Sequence, residues 1–153
     1  MALKFFKPLV SDIKDMQELV KGEVDSGTIL LRTEDEMATT IRSYTAVSLD
    51  GVLVGFCALH VHSINLAEIR SLIVSVDARG KQLGKHLVEH CLEEGKKLGL
   101  KEVLSLTYAR KFFEEMNFKE ISKESLPEHK IWADCIRCKH FPVCDEIALL
   151  YKL

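Results

Sequence analysis

Glycines and basic residues are mixed over one short stretch, Arg79-Gly80-Lys81-Gln82-Leu83-Gly84-Lys85, at the start of the longest predicted helix. The start of a helix presents backbone N–H groups and about half a unit of positive charge, and both favour an anion. The two glycines leave space for an anion to approach, and the three basic side chains add positive charge. The stretch lacks the Gly-Lys-Ser/Thr ending of a P-loop. This 79–85 loop therefore predicts a phosphate site of another kind, the alternative being an exposed basic helix start.

A second candidate cluster lies toward the end of the chain, where His140 falls inside Cys135-x2-Cys138-x5-Cys144. Three thiolates and one imidazole are enough to fill a tetrahedral zinc site. The spacing lacks, however, the second Cys-x2-Cys pair that makes a zinc assignment specific. We therefore expect reduced cysteines and no metal, with Cys135, Cys138, Cys144 and His140 as the alternative ligand set.

Composition limits the classes of function. The 153 residues, 47% hydrophobic and 29% charged, are typical of one folded domain, which we expect to span residues 1–153. A net charge of -2 gives no overall attraction to nucleic acid or an anionic membrane, so neither is an expected partner. Neither a membrane span of roughly 18 apolar residues nor a secretory signal is recognisable. Five cysteines, an odd number, favour reduced thiols and a cytoplasmic location.

Hydrophobic periodicity predicts a mixed α/β (α+β) pattern. Thr33 begins a capping box, Asp50-Gly51 is typical of a hairpin turn, and Gly99 ends a helix whose apolar stripe runs from Leu83 to Leu98. A strand-helix-strand unit after a run of strands predicts one parallel crossover following an antiparallel meander. The predicted elements are strands at 3–9, 44–49, 52–62, 66–76, 102–107, 118–122 and 145–153, and helices after Ser11, after Thr33, at 81–98 and at 109–116.

Two segments resemble motifs of the GNAT superfamily of acetyltransferases. Leu72-Ile73-Val74 followed by the 79–85 loop resembles its acetyl-CoA motif, Gln/Arg-x-x-Gly-x-Gly/Ala, with Gln82 where the middle glycine is usual. Residues 109–118 resemble its later helix and strand, with Asn117 where glycine is usual. The resemblance implies the GNAT fold, a mixed, mostly antiparallel sheet flanked by helices. It also implies acetyl-CoA as co-substrate, with its pyrophosphate bound by the 79–85 loop.

Further segments resemble N-acetylglutamate synthases, in the short bacterial form without an amino-acid-kinase domain. They are residues 27–33, 68–74, 106–108, 112–113, 126–132, 134–138 and 144–146. The resemblance implies acetyl transfer from acetyl-CoA to L-glutamate by direct attack in a ternary complex, as the first step of arginine biosynthesis, and it is compatible with a homodimer. Two alternatives stay open. One is an N-acetyltransferase for glutamine, another small amine or a protein terminus, and the other is a non-catalytic CoA- or metal-binding regulatory module.

The resemblance also implies roles for residues on the cofactor side. An N–H group near Val74 would polarise the thioester carbonyl. Glu68 is the expected base, on a strand face shared with Arg70, Leu72 and Val74. The alternative is that Glu68 and Arg70 merely neutralise each other, with His60 and His62 as rival bases. The expected cofactor-binding set is Leu72, Ile73, Val74, Arg79, Gly80, Lys81, Gln82, Leu83, Gly84, Lys85, Phe112 and Phe113.

Residues on the acceptor side follow from the chemistry of a dicarboxylate. Because the arginine fork binds carboxylates in a bidentate manner, Arg32 is the first candidate, with Arg70 and Lys130 next. Many GNAT enzymes have a tyrosine acid where this chain has Phe113, so Tyr108 is the candidate that would protonate the leaving thiolate. A thiol with a pKa of about 8.5 also leaves without such help.

Overall fold

The computed structural model describes residues 2–26, 32–122 and 147–153, which form a seven-stranded sheet with helices packed on both faces. The strands are β1 (Leu3–Phe6), β2 (Tyr44–Leu49), β3 (Val52–Val61), β4 (Leu66–Val74), β5 (Glu102–Thr107), β6 (Lys119–Ile121) and β7 (Ile147–Lys152). The helices are α1 (Ile13–Asp25), α2 (Glu34–Thr39), α3 (Leu83–Leu98) and α4 (Arg110–Glu115). Short 3-10 turns occupy Val10–Asp12, Ile41–Ser43 and Val76–Ala78.

The sheet has the strand order β1-β2-β3-β4-β5-β7-β6. Among the described strands, β4 and β5 pair in parallel and the other neighbours pair antiparallel. α3 forms the crossover between the two parallel strands. This arrangement confirms the predicted mixed, mostly antiparallel sheet flanked by helices, although most elements are one to a few residues shorter than predicted.

Local sequence signals set several of the boundaries. The Thr33 Oγ1 accepts a hydrogen bond from the Glu36 N–H at 3.1 Å, and Glu36 Oε1 accepts one from the Thr33 N–H at 3.0 Å, which confirms the capping box of α2. The helix predicted to follow Ser11 begins at Ile13. Asp12 directly precedes α1, and its carboxylate accepts from the Leu9 N–H at 2.8 Å, because a preceding 3-10 turn moves the helix start forward.

The hydrophobic core lies on the two faces of the sheet. Leu98, predicted to belong to the buried stripe of α3, is exposed. The chain reverses at Gly99, and Leu100 covers that end of the core instead. Gly99 has a φ of +84°, as expected for a glycine that ends a helix. On one face α3 buries Leu83, Leu87, Val88, Cys91 and Leu92, and on the other α1 and α2 bury Ile13, Met16, Val20 and Met37.

β4 carries one extra residue relative to β3. Between the partners of Arg70 and Ile73 there is one residue on β3, Cys57, whereas β4 has two, Ser71 and Leu72. Ser71 has a φ of +55°, a left-handed conformation that suits a β-bulge. The bulge therefore interrupts the alternation of side chains in the middle of β4.

The interruption contradicts one prediction, that Glu68, Arg70, Leu72 and Val74 share a face. Glu68 and Arg70 lie opposite β3 residues on the face covered by α1 and α2. Leu72 and Val74 instead pack with the core beneath α3, and Ile73 packs on the other face. One inserted residue moves the side chain of every later residue in the strand to the opposite face of the sheet. A prediction based on strict alternation along the strand does not include such an insertion.

Gly55 lies where β3 meets the far end of β4. It is the register partner of Val74, and a Cβ at Gly55 would lie 2.9 Å from the carbonyl oxygen of Ile73 and 3.1 Å from Val47 Cγ1. We expect Gly55→Ala to lower the free energy of unfolding by about 1–3 kcal/mol, because the backbone must shift to make room. Urea unfolding measures the change.

Gly22→Ala in α1 is the matched control, since nothing lies within 4 Å of its Cβ position. We expect it to raise the free energy of unfolding by about 0.5–1 kcal/mol through helix propensity. A Gly55→Ala variant as stable as the parent protein would show that β3 and β4 do not approach each other this closely.

Candidate active site

A cleft of about 920 Å³ opens between β4 and β5. Their pairing ends at Ile69 and Ser105, just before the bulge, although both strands continue. Lys81, a predicted member of the cofactor site, is exposed and lies outside the lining of the cleft. The other residues predicted to bind the cofactor are brought together there, as is Tyr108, the predicted acid: Leu72, Ile73, Val74, Arg79, Gly80, Gln82, Leu83, Gly84, Lys85, Phe112 and Phe113.

The 79–85 loop closes one end of the cleft. Gly80 has a φ of +88° and Gln82 a φ of +57°, and α3 begins at Leu83, two residues later than predicted. Arg79 Nε donates to the carbonyl oxygen of Val74 at 3.4 Å, which ties the loop to the end of β4. The first backbone N–H groups of α3 and the basic side chains of Arg79 and Lys85 therefore border the same cleft.

Aromatic side chains of α4 form the opposite wall. Phe113 is buried and packs edge-on against Phe112, with ring centroids 4.9 Å apart. Phe112 is half-buried, and its ring would lie 3.6 Å from a Cβ on Gly84. A Cβ at Gly84 would therefore be in ordinary van der Waals contact with Phe112. Tyr108 is 46% exposed at the rim of the cleft.

Two smaller pockets lie on the α1/α2 face of the sheet. One, of about 180 Å³, is lined by Arg32, Tyr44, His60, Arg70 and Ser71, among others. We call it the arginine pocket. The second, of about 550 Å³, shares Arg32, Tyr44 and Ser71 with it, and its apolar residues are Val20, Val24, Met37 and Phe56. Because Ser71 also lines the cleft, the cleft and both pockets meet at the bulge of β4.

Glu68 is buried, with 6% of its surface exposed. Its Oε1 atom accepts from Arg70 Nε at 3.1 Å and lies 2.9 Å from His62 Nε2. The rings of His60 and His62 have centroids 4.5 Å apart, and His60 lines the arginine pocket. The Glu68 carboxylate thus holds the guanidinium of Arg70, which borders the arginine pocket. Glu68, the predicted base, therefore contacts both Arg70, a predicted acceptor-binding residue, and His62, a rival base.

Sequence reasoning missed Tyr44 and Ser71. Burial raises the pKa of the Tyr44 hydroxyl, and the positive charges of Arg32 and Arg70 oppose part of that shift. The phenol therefore stays neutral at physiological pH and can donate a hydrogen bond inside the arginine pocket. The one available signal for Ser71 was a serine in an otherwise apolar half-strand, and Tyr44 had no signal beyond its place at the start of a predicted strand.

Several predicted residues lie outside the described ones. They are the acceptor candidate Lys130 and the metal candidates Cys135, Cys138, Cys144 and His140. Within residues 2–26, 32–122 and 147–153, no group of three or more His, Cys, Asp or Glu side chains is arranged to hold a metal ion. Cys57 and Cys91 are free and buried in the core. None of the described helices is long and apolar enough to cross a membrane.

The sequence matches known acetyltransferases over most of its length. The model of the acetyltransferase (GNAT) family matches residues 13–118. An uncharacterized N-acetyltransferase of Chlorobaculum tepidum is 35% identical over 144 residues, which cover 94% of this chain and 92% of that protein. An amino-acid acetyltransferase of Vibrio cholerae is 25% identical over 123 residues. That alignment covers 79% of this chain but 28% of the Vibrio protein, so the chain spans under a third of that relative's length.

Solved structures share the architecture. An N-acetylglutamate synthase from Neisseria gonorrhoeae, complexed with coenzyme A and N-acetyl-glutamate, superposes with a TM-score of 0.88 at 22% identity, over 100% of this chain and 35% of that one. Rv2747 from Mycobacterium tuberculosis, in complex with CoA and NLQ, superposes with a TM-score of 0.84 at 23% identity, over 98% of this chain and 99% of that one. At these identities the likeness establishes the fold, and it confirms the predicted GNAT architecture.

The backbone of the 79–85 loop makes a prediction about CoA binding. We expect Gln82→Gly to keep or improve the affinity for CoA, because glycine adopts the left-handed conformation of residue 82 without strain. Gly80→Ala should weaken binding by about tenfold or more, because φ is +88° at that position. Isothermal titration calorimetry measures both affinities. A large loss of affinity in Gln82→Gly would show that the Gln82 side chain itself holds the ligand.

Proposed function

The chain belongs to the GNAT family of acetyl-CoA-dependent N-acetyltransferases, and we propose that its acceptor is the α-amine of L-glutamate. The observation that carries the proposal is the arginine pocket. Arg32 and Arg70 line it, and it meets the cleft at Ser71. Two guanidinium groups suit two carboxylates, and the α-amine lies on the carbon next to one of them. Lys130 stays a third proposed carboxylate ligand.

The residues of the cleft fit the chemistry of CoA. A pyrophosphate and a 3′-phosphate call for cations and exposed N–H groups, which the cleft offers at Arg79, Lys85 and the start of α3. Gly80 and Gly84 provide the close approach that a phosphate needs. Beyond Ile69 the edge of β4 that faces β5 borders the cleft instead of a partner strand, which suits pairing with the amide-bearing pantetheine arm. Acetyl-CoA supplies the thioester.

The proposed chemistry is direct attack of the amine on the thioester carbonyl. An N–H group near Val74 stabilises the developing oxyanion, and the site holds the two reactants together. Glu68 is the proposed base that takes a proton from the acceptor ammonium, through water because it is buried beside Arg70. Tyr108, at the rim of the cleft, is the proposed donor to the leaving thiolate.

The acceptor is tested by thiol release from acetyl-CoA with a panel of L-amino acids, a polyamine and a peptide with a free terminus. We expect the highest kcat/KM for L-glutamate and a value at least about tenfold lower for L-glutamine, because one carboxylate is replaced by a neutral amide. Absence of any preference for glutamate or glutamine within the panel would refute the proposed acceptor.

Variants of the two arginines test the proposed site. Arg32→Ala and Arg70→Ala should each raise the KM for glutamate about tenfold or more and leave the KM for acetyl-CoA within about twofold. Arg42→Ala is the control, because Arg42 is exposed and lines neither the cleft nor the pockets described above. If the arginine-pocket variants behave like Arg42→Ala, the acceptor binds elsewhere.

Glu68→Gln tests the proposed base. We expect kcat at neutral pH to fall about 100-fold or more, since a positioned base typically contributes that much. The loss should shrink as pH rises, because the acceptor ammonium then loses its proton to solvent and needs no base. A pH–rate profile of both proteins measures this. A loss that is equal at every pH would mean that Glu68 only holds Arg70 in place.

A further inference from the structure

Ser71 has a backbone conformation that its residue type does not favour. Its φ of +55° lies in a region that costs L-residues other than Asn and Asp free energy. In the described part of the chain the other non-glycine residues with positive φ are Asp50, Gln82 and Asn117. Asp50 and Asn117 lie next to turns or helix ends and belong to the two types that tolerate it. Glycine would satisfy the bulge better, so the backbone gives no reason for a serine.

The Ser71 hydroxyl also has no hydrogen-bond partner among the residues that the structure describes. Across residues 2–26, 32–122 and 147–153, it takes part in none of the hydrogen bonds that the structure contains. It is half-buried rather than exposed on a surface. The Ser71 hydroxyl therefore makes no hydrogen bond that would offset the backbone strain of its residue. This combination points to a ligand.

The position of Ser71 identifies which ligand. It is the residue at which the cleft, the arginine pocket and the larger neighbouring pocket meet. An acceptor bound in the arginine pocket must pass its amine along β4, from Arg70 toward Leu72, to reach a thioester in the cleft. Ser71 lies between those two residues.

We propose that Ser71 binds the attacking amine, its hydroxyl oxygen accepting a hydrogen bond from the amine N–H. A hydroxyl oxygen accepts from an ammonium and from a neutral amine alike, so the contact persists while the proton leaves. The contact fixes the direction from which the amine attacks. Contacts at the other end of the acceptor alone would leave the amine free to rotate. This inference rests on acetyl transfer to an amine, as proposed above, and not on that amine being glutamate.

Two substitutions separate the hydroxyl from the backbone. Ser71→Gly removes the hydroxyl and the strain, whereas Ser71→Ala removes the hydroxyl and keeps the strain. We expect a melting temperature for Ser71→Gly equal to or above that of the parent protein, and one for Ser71→Ala equal to or below it. We expect kcat/KM for the acceptor to fall about tenfold or more in both variants, while the calorimetric affinity for CoA stays within about twofold.

Asn117→Gly is the matched control. Asn117 also has a positive φ, of +72°, and it lines neither the cleft nor the two pockets, so its relief of strain should leave kcat/KM unchanged. Full activity of Ser71→Gly, or a loss confined to Ser71→Ala, would overturn the proposal, because the backbone and not the hydroxyl would then matter. Weakened CoA binding in step with the loss of kcat/KM would overturn it as well.

The comparison uses whichever amine of the panel the parent protein acetylates fastest. If that amine is not glutamate, the proposed acceptor fails while the Ser71 variants still decide the role of the hydroxyl. If the parent protein acetylates no amine of the panel, the proposed acceptor and the role of Ser71 fail together.

Discussion

The extra residue in β4 determines where everything else in the site can lie. Upstream of it, β4 pairs in parallel with β5 and its polar residues lie on the α1/α2 face. Downstream of it, the even-numbered residues Leu72 and Val74 lie on the α3 face instead, and the strand leaves its parallel partner. A two-layer core can absorb this exchange only because both faces of the sheet are covered, one by α3 and the other by α1 and α2. The cleft is the space that the departure of β4 from β5 creates.

The same irregularity separates two kinds of chemistry. The cofactor side, at the 79–85 loop, depends on backbone N–H groups and fixed positive charge. The acceptor side depends on side chains of the intact half of β4, where Glu68 contacts Arg70 and His62. Because Arg70 and His62 share one carboxylate oxygen, a proton arriving on Glu68 weakens its hold on both. In the proposed mechanism, proton removal and acceptor binding are therefore coupled through Glu68, a single buried side chain.

The local signals in the sequence were enough to predict the order of elements and to place the 79–85 loop at the start of the longest helix. The capping box at Thr33, the Asp50-Gly51 turn and the stop at Gly99 each act within a few residues, so the sequence alone reveals them. The bulge is different, because it appears only when β4 is placed against β3. A serine in the sequence does not predict a left-handed backbone conformation. The faces of Leu72 and Val74 were consequently mispredicted. Arg32 and Arg70 were named as acceptor candidates, but the participation of Tyr44 and Ser71 in the same pocket was not predicted.

Two residues at the cleft, Ser71 and Gln82, share a left-handed backbone that glycine would adopt without cost. The fold needs the conformation in both places, at 71 to insert a residue into the strand and at 82 to turn the chain into α3. Their side chains differ in surroundings. Gln82 is exposed, so its amide can be satisfied by water. Ser71 is half-buried where three cavities meet, so an acceptor that passes from the arginine pocket into the cleft runs beside its hydroxyl. The proposed hydrogen bond from the attacking amine to that hydroxyl gives a physical reason to keep a strained serine in place of glycine.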